Sequence, residues 1–303
     1  MQIFFVWCFT LCTPADKIII NLCAIVKYSL INMRKVKPFL SALLPLNIAH
    51  RGGMAVAPEN TIHAFTQARY YGSEVFELDL HTTKDGEFVV IHDDTVDRTT
   101  NGHGRVKDLT CAEIKRLDAA YYFSPEGSGI FPLRGQGITI PTLWEVFETF
   151  PECRLNIEIK EMPPGYAHRL RSLIQACAME DKVLIAAEQH RYARAFRPLA
   201  PQLACSASRR EVTIFYLLMV LHADFLYDPP FDALQVPEYY GGLHLVTPRF
   251  ISWAHKKHIK VHVWTVNEQQ DMERLLSWGV DGIVTDCPDR LKQVLHRHRQ
   301  YKS

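Results

Sequence analysis

From residue 46 onward, short apolar runs alternate with segments of helical periodicity, and this alternation limits the possible folds more than any other feature. The runs that predict strands lie at residues 46–49, 74–80, 87–92, 154–160, 182–187, 203–208, 233–237, 260–266 and 282–286. Helical patterns between many of them are typical of βα units around a mostly parallel sheet. Eight or nine strands over about 258 residues predict an α/β fold, a (βα)8 TIM-type barrel, whose usual size is ~250 residues. A doubly wound open sheet is disfavoured because its Gly-rich GxGxxG motif is missing.

One connection breaks the alternation. The stretch "HTTKDGE" joins the second and third predicted strands through a Lys-Asp-Gly turn. It is too short for the crossover that a parallel pair needs, so it predicts a tight hairpin. We therefore expect a barrel that is irregular around its second and third strands.

The domain organisation predicted from these patterns is a single barrel domain over residues 46–298, preceded by an apolar segment over residues 1–45. The segment holds two apolar runs, "MQIFFVWCFTLC" and "IIINLCAIVKYSLI", and neither reaches the ~18 uninterrupted apolar residues of a membrane span. No basic region or cleavage site marks a secretory signal. Three interpretations stay open: a segment on a membrane, an extra helix on the domain, or translation assigned upstream of Met33.

Charge and cysteine content exclude several classes of protein. Lys and Arg total 34 and Asp and Glu total 33, so a formal net charge of +1 and the lack of a basic stripe argue against nucleic acid as a partner. The 8 cysteines are scattered without a CxxC pair, which indicates reduced thiols rather than a zinc ribbon or a disulfide framework. We expect a cytoplasmic protein, with membrane association through residues 1–32 as the alternative.

Carboxylates cluster at the ends of two predicted strands. Glu77 and Asp79 in "ELD" leave the same face of one strand, and Glu158 and Lys160 in "NIEIK" do the same on another. Because the carboxyl ends of barrel strands meet at one rim, the three acids could hold one divalent metal ion, Mg²⁺ or Ca²⁺. Solvated acids at strand ends, with a surface Glu-Lys pair, are the alternative.

Two histidines end apolar strands beside charged residues. His50 is followed by Arg51 in "IAHRGG", and His92 closes "EFVVIH". A tight hairpin would place His92 close to Asp79. A pair of imidazoles on one rim could act as general acid and general base, and Arg51 and Lys160 could hold an anion such as phosphate. Taken singly, a histidine at a strand end is usually a structural hydrogen-bonding group.

Seven motifs occur in order along the chain: "HRGG", "PENT", "ELDLHTTKDGEFVVIHDDTVDRTTNGHGRV", "IPTLWEVF", "NIEIK", "HVWTVN" and "GVDGIVTDCP". Together they closely resemble the glycerophosphodiester phosphodiesterase family, over residues 46–295. The resemblance implies a (βα)8 barrel that hydrolyses glycerophosphodiesters to sn-glycerol 3-phosphate and an alcohol with a divalent metal. The roles that it implies are His50 and His92 as the acid/base pair, Glu77, Asp79 and Glu158 as metal ligands, Arg51 and Lys160 as phosphate contacts, Trp264 in the substrate pocket and Glu59 in support.

Two alternatives accompany this interpretation. The short connection before "NIEIK" resembles the compact intracellular branch of the family, so Ca²⁺ need not be the metal. The apolar run "IFYLLMVL" (214–221), if it lies beside the rim, would favour a membrane-associated lysophospholipase D acting on lysophospholipids. A barrel without catalytic activity, acting as a scaffold, is disfavoured because all seven candidate site residues are retained. The sequence leaves the head-group preference, the metal, the assignment of acid and base and the oligomeric state open.

Overall fold

The structure, a computed structural model, describes residues 36–41 and 45–300. The strands are β1 (Leu46–Ala49), β2 (Val75–Thr82), β3 (Phe88–Val90), β4 (Arg154–Ile159), β5 (Val183–Ala186), β6 (Ala204–Cys205), β7 (Ala233–Pro237), β8 (Tyr239–Tyr240), β9 (Leu243–His244), β10 (Lys260–Trp264) and β11 (Gly282–Thr285). The helices are α1 (Ile62–Tyr70), α2 (Cys111–Ile114), α3 (Leu143–Thr149), α4 (Tyr166–Ala176), α5 (His190–Phe196), α6 (Arg209–Val220), α7 (Pro248–Lys256), α8 (Gln269–Trp278) and α9 (Pro288–Gln300).

Eight parallel strands form the barrel. Their order is β6-β5-β4-β2-β1-β11-β10-β7, and a parallel bridge between Ser206, just after β6, and Ala233 of β7 brings the two ends of the sheet together. The predicted (βα)8 barrel is confirmed. The predicted irregularity is also present, because β3 pairs antiparallel with β2 across the Lys-Asp-Gly turn and lies off the barrel path.

Side-chain alternation divides the core into an inner and an outer layer. Small and aliphatic side chains from alternate positions fill the inside of the barrel, among them Leu46, Ile48, Val75, Leu184, Ala186, Ala204, Ala233 and Val284. Phe39 and Leu40, from the turn before β1, join this cluster and are 1% and 4% exposed. Burying a large apolar side chain contributes about 1.5–3 kcal/mol, so these two residues stabilise the end of the barrel where the strands begin.

The intervening positions face the helices. Phe76, Leu78 and Leu80 of β2 are buried against one half of the helical layer, and Val261 and Val263 of β10 against the other. Each strand therefore alternates between barrel and helix; the helix-facing side is largely apolar, and the barrel-facing side also carries a few buried polar residues such as Asn156 and His262. The polar residues at the carboxyl ends of the strands lie at the rim of the barrel on that side.

Two helices and one hairpin were not predicted. Helix α5 buries only Tyr192, Ala193 and Phe196, and α9 buries Leu291, Val294 and Leu295 in an otherwise charged stretch that resembles a polar tail. Strands β8 and β9 form a small antiparallel hairpin after β7. Within the described ranges, the helices lack the combination of length and apolar character that a bilayer crossing requires. Most of the apolar segment, residues 1–35 and 42–44, lies outside the described residues, so its three interpretations stay predictions.

Candidate active site

A cluster of three carboxylates lies at the carboxyl ends of β2 and β4. Asp79 is the register partner of Glu158, and Glu77 precedes Asp79 by two positions on the same face of β2. One oxygen from each of Glu77, Asp79 and Glu158 lies within 4.8 Å of the others. Glu77 and Asp79 are 4% and 0% exposed, so water contributes little to their solvation. The strand ends therefore concentrate negative charge in a buried place, as their sequence positions indicated.

Two cationic side chains compensate part of this charge. Lys160 Nζ lies 3.0 Å from Asp79 Oδ1 and 2.9 Å from Glu158 Oε1. Arg51 Nε lies 3.4 Å from Asp79 Oδ2. These contacts place both predicted anion-binding residues at the carboxylate cluster.

Arg51, in the turn after β1, also contacts the carboxylate cluster through its backbone. The N–H of Arg51 donates to Glu77 Oε2 at 2.8 Å, from a left-handed backbone conformation with φ of 50°. Gly52 follows with φ of 83°, and a Cβ there would lie 2.7 Å from Cβ of Ala64 in α1. Glycine is required here because the chain turns against the helix. The "HRGG" stretch thus brings Arg51 to the rim.

Burial and mutual repulsion set the ionisation of the cluster. Burial and then the negative charge of Asp79 raise the pKa of Glu77 to about 8. Burial would also raise the pKa of Asp79, but the charges of Lys160, His92 and Arg51 outweigh it and hold that pKa below its ordinary value. The cluster consequently retains a proton near neutral pH unless another positive charge enters.

The donor set fits a divalent metal ion. It consists of carboxylate oxygens alone, the ligands that Mg²⁺ and Ca²⁺ prefer. Asp79 Oδ1 is buried and makes no well-formed hydrogen bond, although the Lys160 ammonium lies beside it. A cation between the three carboxylates would supply the charge that the raised pKa of Glu77 shows to be lacking. Glu77, Asp79 and Glu158 are therefore the residues that could hold it.

His50 is oriented by a carboxylate that directly follows the last strand of the barrel. Its Nδ1 lies 2.6 Å from Asp286 Oδ1, and the other oxygen of Asp286 accepts a hydrogen bond from Asn267 Nδ2 at 2.7 Å. Burial would lower the pKa of His50, but the hydrogen bond to Asp286 and the charge of Glu77 raise it above its ordinary value. Because Nδ1 is engaged, proton exchange with a ligand falls to Nε2.

His92 lies at the end of a chain of ion pairs. Its Nδ1 is 2.7 Å from Asp93 Oδ1, and Asp93 in turn accepts from Arg98 Nε at 2.7 Å. Arg98 also donates to both oxygens of Glu59, at 2.7 and 2.8 Å. The guanidinium of Arg98 and then the bond to His92 lower the pKa of Asp93 to about 2. His92 is thus held by a carboxylate that stays ionised.

Glu59 joins this chain to the carboxylate cluster. Its Oε1 also accepts from Arg51 Nη1 at 2.9 Å, so one carboxylate lies between two guanidinium groups. Burial would raise the pKa of Glu59, but Arg98 and Arg51 hold it below its ordinary value. The backbone N–H of Ile91 donates to the Asp79 carbonyl oxygen at 3.0 Å, which brings the strand end that carries His92 beside β2.

Trp264 ends β10 at the same rim and is 44% exposed. Its register partner is Pro237 of β7. These two strands lie across the barrel from β2 and β4 in the strand order, so Trp264 stands on the side away from the carboxylate cluster. The structure therefore leaves a half-exposed aromatic surface on that wall of the rim.

Several residues of the site were not assigned from the sequence. Asp286 and Asn267 follow β11 and β10 as His50 follows β1, so the strand-end rule that found His50 also applies to them. Asn60 resembles a helix N-cap, but Thr61 caps α1, with its Oγ1 accepting from Ala64 N at 3.1 Å, and Asn60 bonds to Asp79 instead. His81, 1% exposed, donates to the His92 carbonyl oxygen at 3.1 Å.

Fold and site together define a TIM-barrel enzyme with a buried acidic cluster flanked by two histidines, an arginine and a lysine. The model of the "Glycerophosphoryl diester phosphodiesterase family" matches residues 50–290. A glycerophosphodiester phosphodiesterase of Caldanaerobacter subterraneus is 38% identical over 261 residues, covering 83% of this chain and 98% of the relative. The chain belongs to this family of phosphoric diester hydrolases, as its motifs indicated.

Two further similarities bear on function. The lysophospholipase D GDPD1 of Rattus norvegicus is 28% identical over 307 residues, which cover 90% of this chain and 92% of the relative. Among solved structures, a phosphodiesterase of Oleispira antarctica in complex with its product sn-glycerol-3-phosphate has a TM-score of 0.64 and 25% identity, covering 84% of this chain and 97% of that one. The Oleispira antarctica structure shares its fold with this chain.

Proposed function

We propose that this chain hydrolyses glycerophosphodiesters to sn-glycerol 3-phosphate and an alcohol in a metal-dependent reaction. The observation that carries the proposal is the cluster of Glu77, Asp79 and Glu158 with oxygens within 4.8 Å, beside Lys160 and Arg51. Family membership and the product complex of the Oleispira antarctica relative support the same substrate class.

In this proposal Glu77, Asp79 and Glu158 hold one divalent ion, Mg²⁺ or Ca²⁺. A metal ion there would polarise the phosphodiester and stabilise the charge that develops on its oxygens. Arg51 and Lys160 bind the phosphate, since the flat guanidinium of Arg51 suits two phosphate oxygens at once. Both already lie at the cluster, in contact with Asp79.

His50 and His92 act as the acid/base pair. One takes the proton from the attacking oxygen, and the other gives a proton to the leaving alkoxide as its bond to phosphorus breaks. Asp286 and Asp93 hold the Nδ1 side of each ring, so both act through Nε2. Trp264 lines the pocket for the substrate. Glu59 accepts hydrogen bonds from both Arg51 and Arg98 and so holds both side chains in place.

Substitution of the two histidines tests the proposal. His50→Ala and His92→Ala should each lower the rate of glycerol 3-phosphate release by about 10² to 10⁴. His103→Ala is the matched control, because His103 pairs with an aspartate in the same way, at 3.2 Å, but is 84% exposed. Near-normal turnover in both site variants would contradict the acid/base assignment.

A second candidate function is lysophospholipase D activity. The match to the rat lysophospholipase D favours it, because that match covers 90% of this chain. The apolar run 214–221 adds less support than the sequence suggested, since α6 begins near the rim and carries these residues toward the opposite end of the barrel. Matched rates on glycerophosphocholine and lysophosphatidylcholine separate the two functions, and a strong preference for the soluble diester would remove the lipid substrate. Cytoplasmic location, with membrane association through residues 1–32 as the alternative, stays a prediction.

A further inference from the structure

The end of α6 and the turn after it carry a concentration of exposed apolar side chains. Leu217 and Val220 are each 52% exposed, Leu221 is 70%, Phe225 is 76% and Leu226 is 71%. Their spacing of three and four residues places Leu217, Val220 and Leu221 on one side of the helix end. Phe225 and Leu226 follow in the short turn after the helix. We call these five residues the end patch.

The end patch is not required for the packing of α6. The opposite side of the helix already buries Phe215 and Met219 in the core. A surface helix normally pairs one apolar side with one polar side, and a helix that is apolar on two sides indicates a second apolar environment. The exposed side chains of the end patch therefore indicate a binding partner with an apolar surface.

The end patch lies at the end of the barrel where the strands begin, away from the active site. Lys257 Nζ donates to the Tyr227 carbonyl oxygen at 3.2 Å, directly after the patch, and Lys256 beside it is exposed. Lys37 contacts the Pro201 carbonyl oxygen in the segment that leads into β6. Lys256, Lys257 and Arg249, whose Nη2 lies 3.1 Å from His222 Nε2, thus border the end patch, together with the exposed Asp228.

We propose that the end patch is a docking surface for an anionic lipid bilayer. Leu, Val and Phe side chains suit the acyl boundary, while neighbouring Lys256 and Lys257 suit the phosphates of anionic headgroups. A second copy of the chain fits less well, because a symmetric contact would bring the same lysines together. This inference goes beyond the hydrolytic function and does not depend on residues 1–32.

Docking by the end patch fixes the orientation of the enzyme. The rim with Glu77, Asp79 and the histidines then opens away from the bilayer, toward water. The half-exposed side chains on the β8–β9 hairpin, Tyr239 (58%) and Tyr240 (50%), stay on the water side with it. Substrate reaches the site from solution even while the protein is bound to a membrane.

Hydrogen exchange of the full chain tests this placement locally. Vesicles of phosphatidylcholine with roughly 30 mol% phosphatidylserine should slow the exchange of amides in residues 217–226 by about tenfold, and vesicles of phosphatidylcholine alone should slow it less. Residues 239–244 should exchange at an unchanged rate. No slowing in 217–226, or slowing in 239–244 instead, would overturn the inference. Slowing that depends on protein concentration without lipid would assign the patch to a second copy and overturn it as well.

Two matched triple variants complete the test by vesicle cosedimentation. Leu221→Ser/Phe225→Ser/Leu226→Ser should bind anionic vesicles about tenfold more weakly than the native chain. Tyr239→Ser/Tyr240→Ser/Leu243→Ser removes a similar exposed apolar surface at the other end and should bind as the native chain does. Equal binding by the patch variant would overturn the inference. Hydrolysis of soluble glycerophosphocholine should be the same in the patch variant and the native chain, and its absence from both would contradict the proposed function without affecting the docking result.

Discussion

Asn60 and Asp79 exchange two hydrogen bonds: Asn60 Nδ2 donates to Asp79 Oδ2 at 2.9 Å, and the backbone N–H of Asp79 donates to Asn60 Oδ1 at 3.3 Å. Asn60 adopts a left-handed backbone with φ of 57°, a conformation that asparagine tolerates better than most residues. The amide thus ties the turn before α1 to the carboxylate cluster and fixes the rotation of Asp79.

Substitution of Asn60 should weaken the metal site without removing a ligand. Asn60→Ala removes the hydrogen bond to Asp79 Oδ2 and leaves only the longer contact with Arg51 Nε. We expect metal affinity to fall by about 10- to 100-fold, as is common for groups that orient ligands. The measurement is activity as a function of added metal ion. Thr66→Ala on the exposed side of α1 is the control and should titrate as the native enzyme does. An unchanged titration for Asn60→Ala would mean that the amide does not position Asp79 for metal.

Replacing Asp286 should change the ionisation of His50. In Asp286→Asn the hydrogen bond and charge that raise the pKa of His50 are lost, so that pKa should fall. We expect the turnover number to fall by about 10² and the limb of the pH-rate profile that reports His50 to move to lower pH. A lower rate with an unmoved profile would assign Asp286 a structural role only.

Arg98 should matter through the residues that it holds. Arg98→Ala leaves Asp93 without its guanidinium partner, so His92 loses its fixed orientation. A displaced catalytic group costs about 10- to 100-fold in rate, and we expect a fall of that size in kcat with little change in KM. Arg98→Lys should recover part of the loss, because the ammonium group keeps the positive charge but cannot bond to Asp93 and Glu59 with the planar geometry of a guanidinium. Full activity of Arg98→Ala would show that the ion-pair chain is not needed for catalysis.

A buried histidine gives the fold a pH dependence of its own. His262 on β10 is 0% exposed inside the barrel, near Gln235, and burial lowers its pKa from 6.5 to about 4. Above pH 6.5 the residue is neutral in both states. Between that value and about 4 only the unfolded chain takes up the proton, so stability is lost as the pH falls through this window.

The free energy of unfolding in urea at about pH 7.5 and pH 5.0 measures this effect. The native chain should lose about 2 kcal/mol more between these pH values than His262→Gln does, because glutamine does not titrate. His103→Gln, which replaces an exposed histidine, should show the loss of the native chain. An equal loss in native chain and His262→Gln would contradict the neutral, buried state of His262.

The sequence predicted the barrel because short apolar runs alternate with helical patterns, and it predicted the rim because polar residues end several of these runs. Register follows from this pattern, so Asp79 and Glu158 were expected at one rim, and the structure pairs them. The Lys-Asp-Gly turn likewise predicted the antiparallel β3. Helix α5 was missed because only three of its seven residues are buried, and α9 because its charged residues outnumber its buried apolar ones.

The parts of the site that join distant segments could not be predicted from local patterns. Asp286 lies 236 positions from His50, and the pairing of the first barrel strand, β1, with the last, β11, brings them together. Asn60 has the residue type of a helix cap, and nothing local shows that Thr61 takes that role instead. The bridge from His92 through Arg98 to Glu59 depends on the fold of the β3–α2 connection, where hydrophobic periodicity is weak.

The central claim is that three carboxylates hold the metal ion on which hydrolysis of a glycerophosphodiester depends. Release of glycerol 3-phosphate from glycerophosphocholine by the purified full chain, with EDTA and with Mg²⁺, Mn²⁺ or Ca²⁺ added back separately, tests it most directly. The account predicts that EDTA abolishes release, that one of the ions restores it, and that Glu158→Gln raises the concentration of that ion needed. Release that continues unchanged in EDTA would contradict the claim.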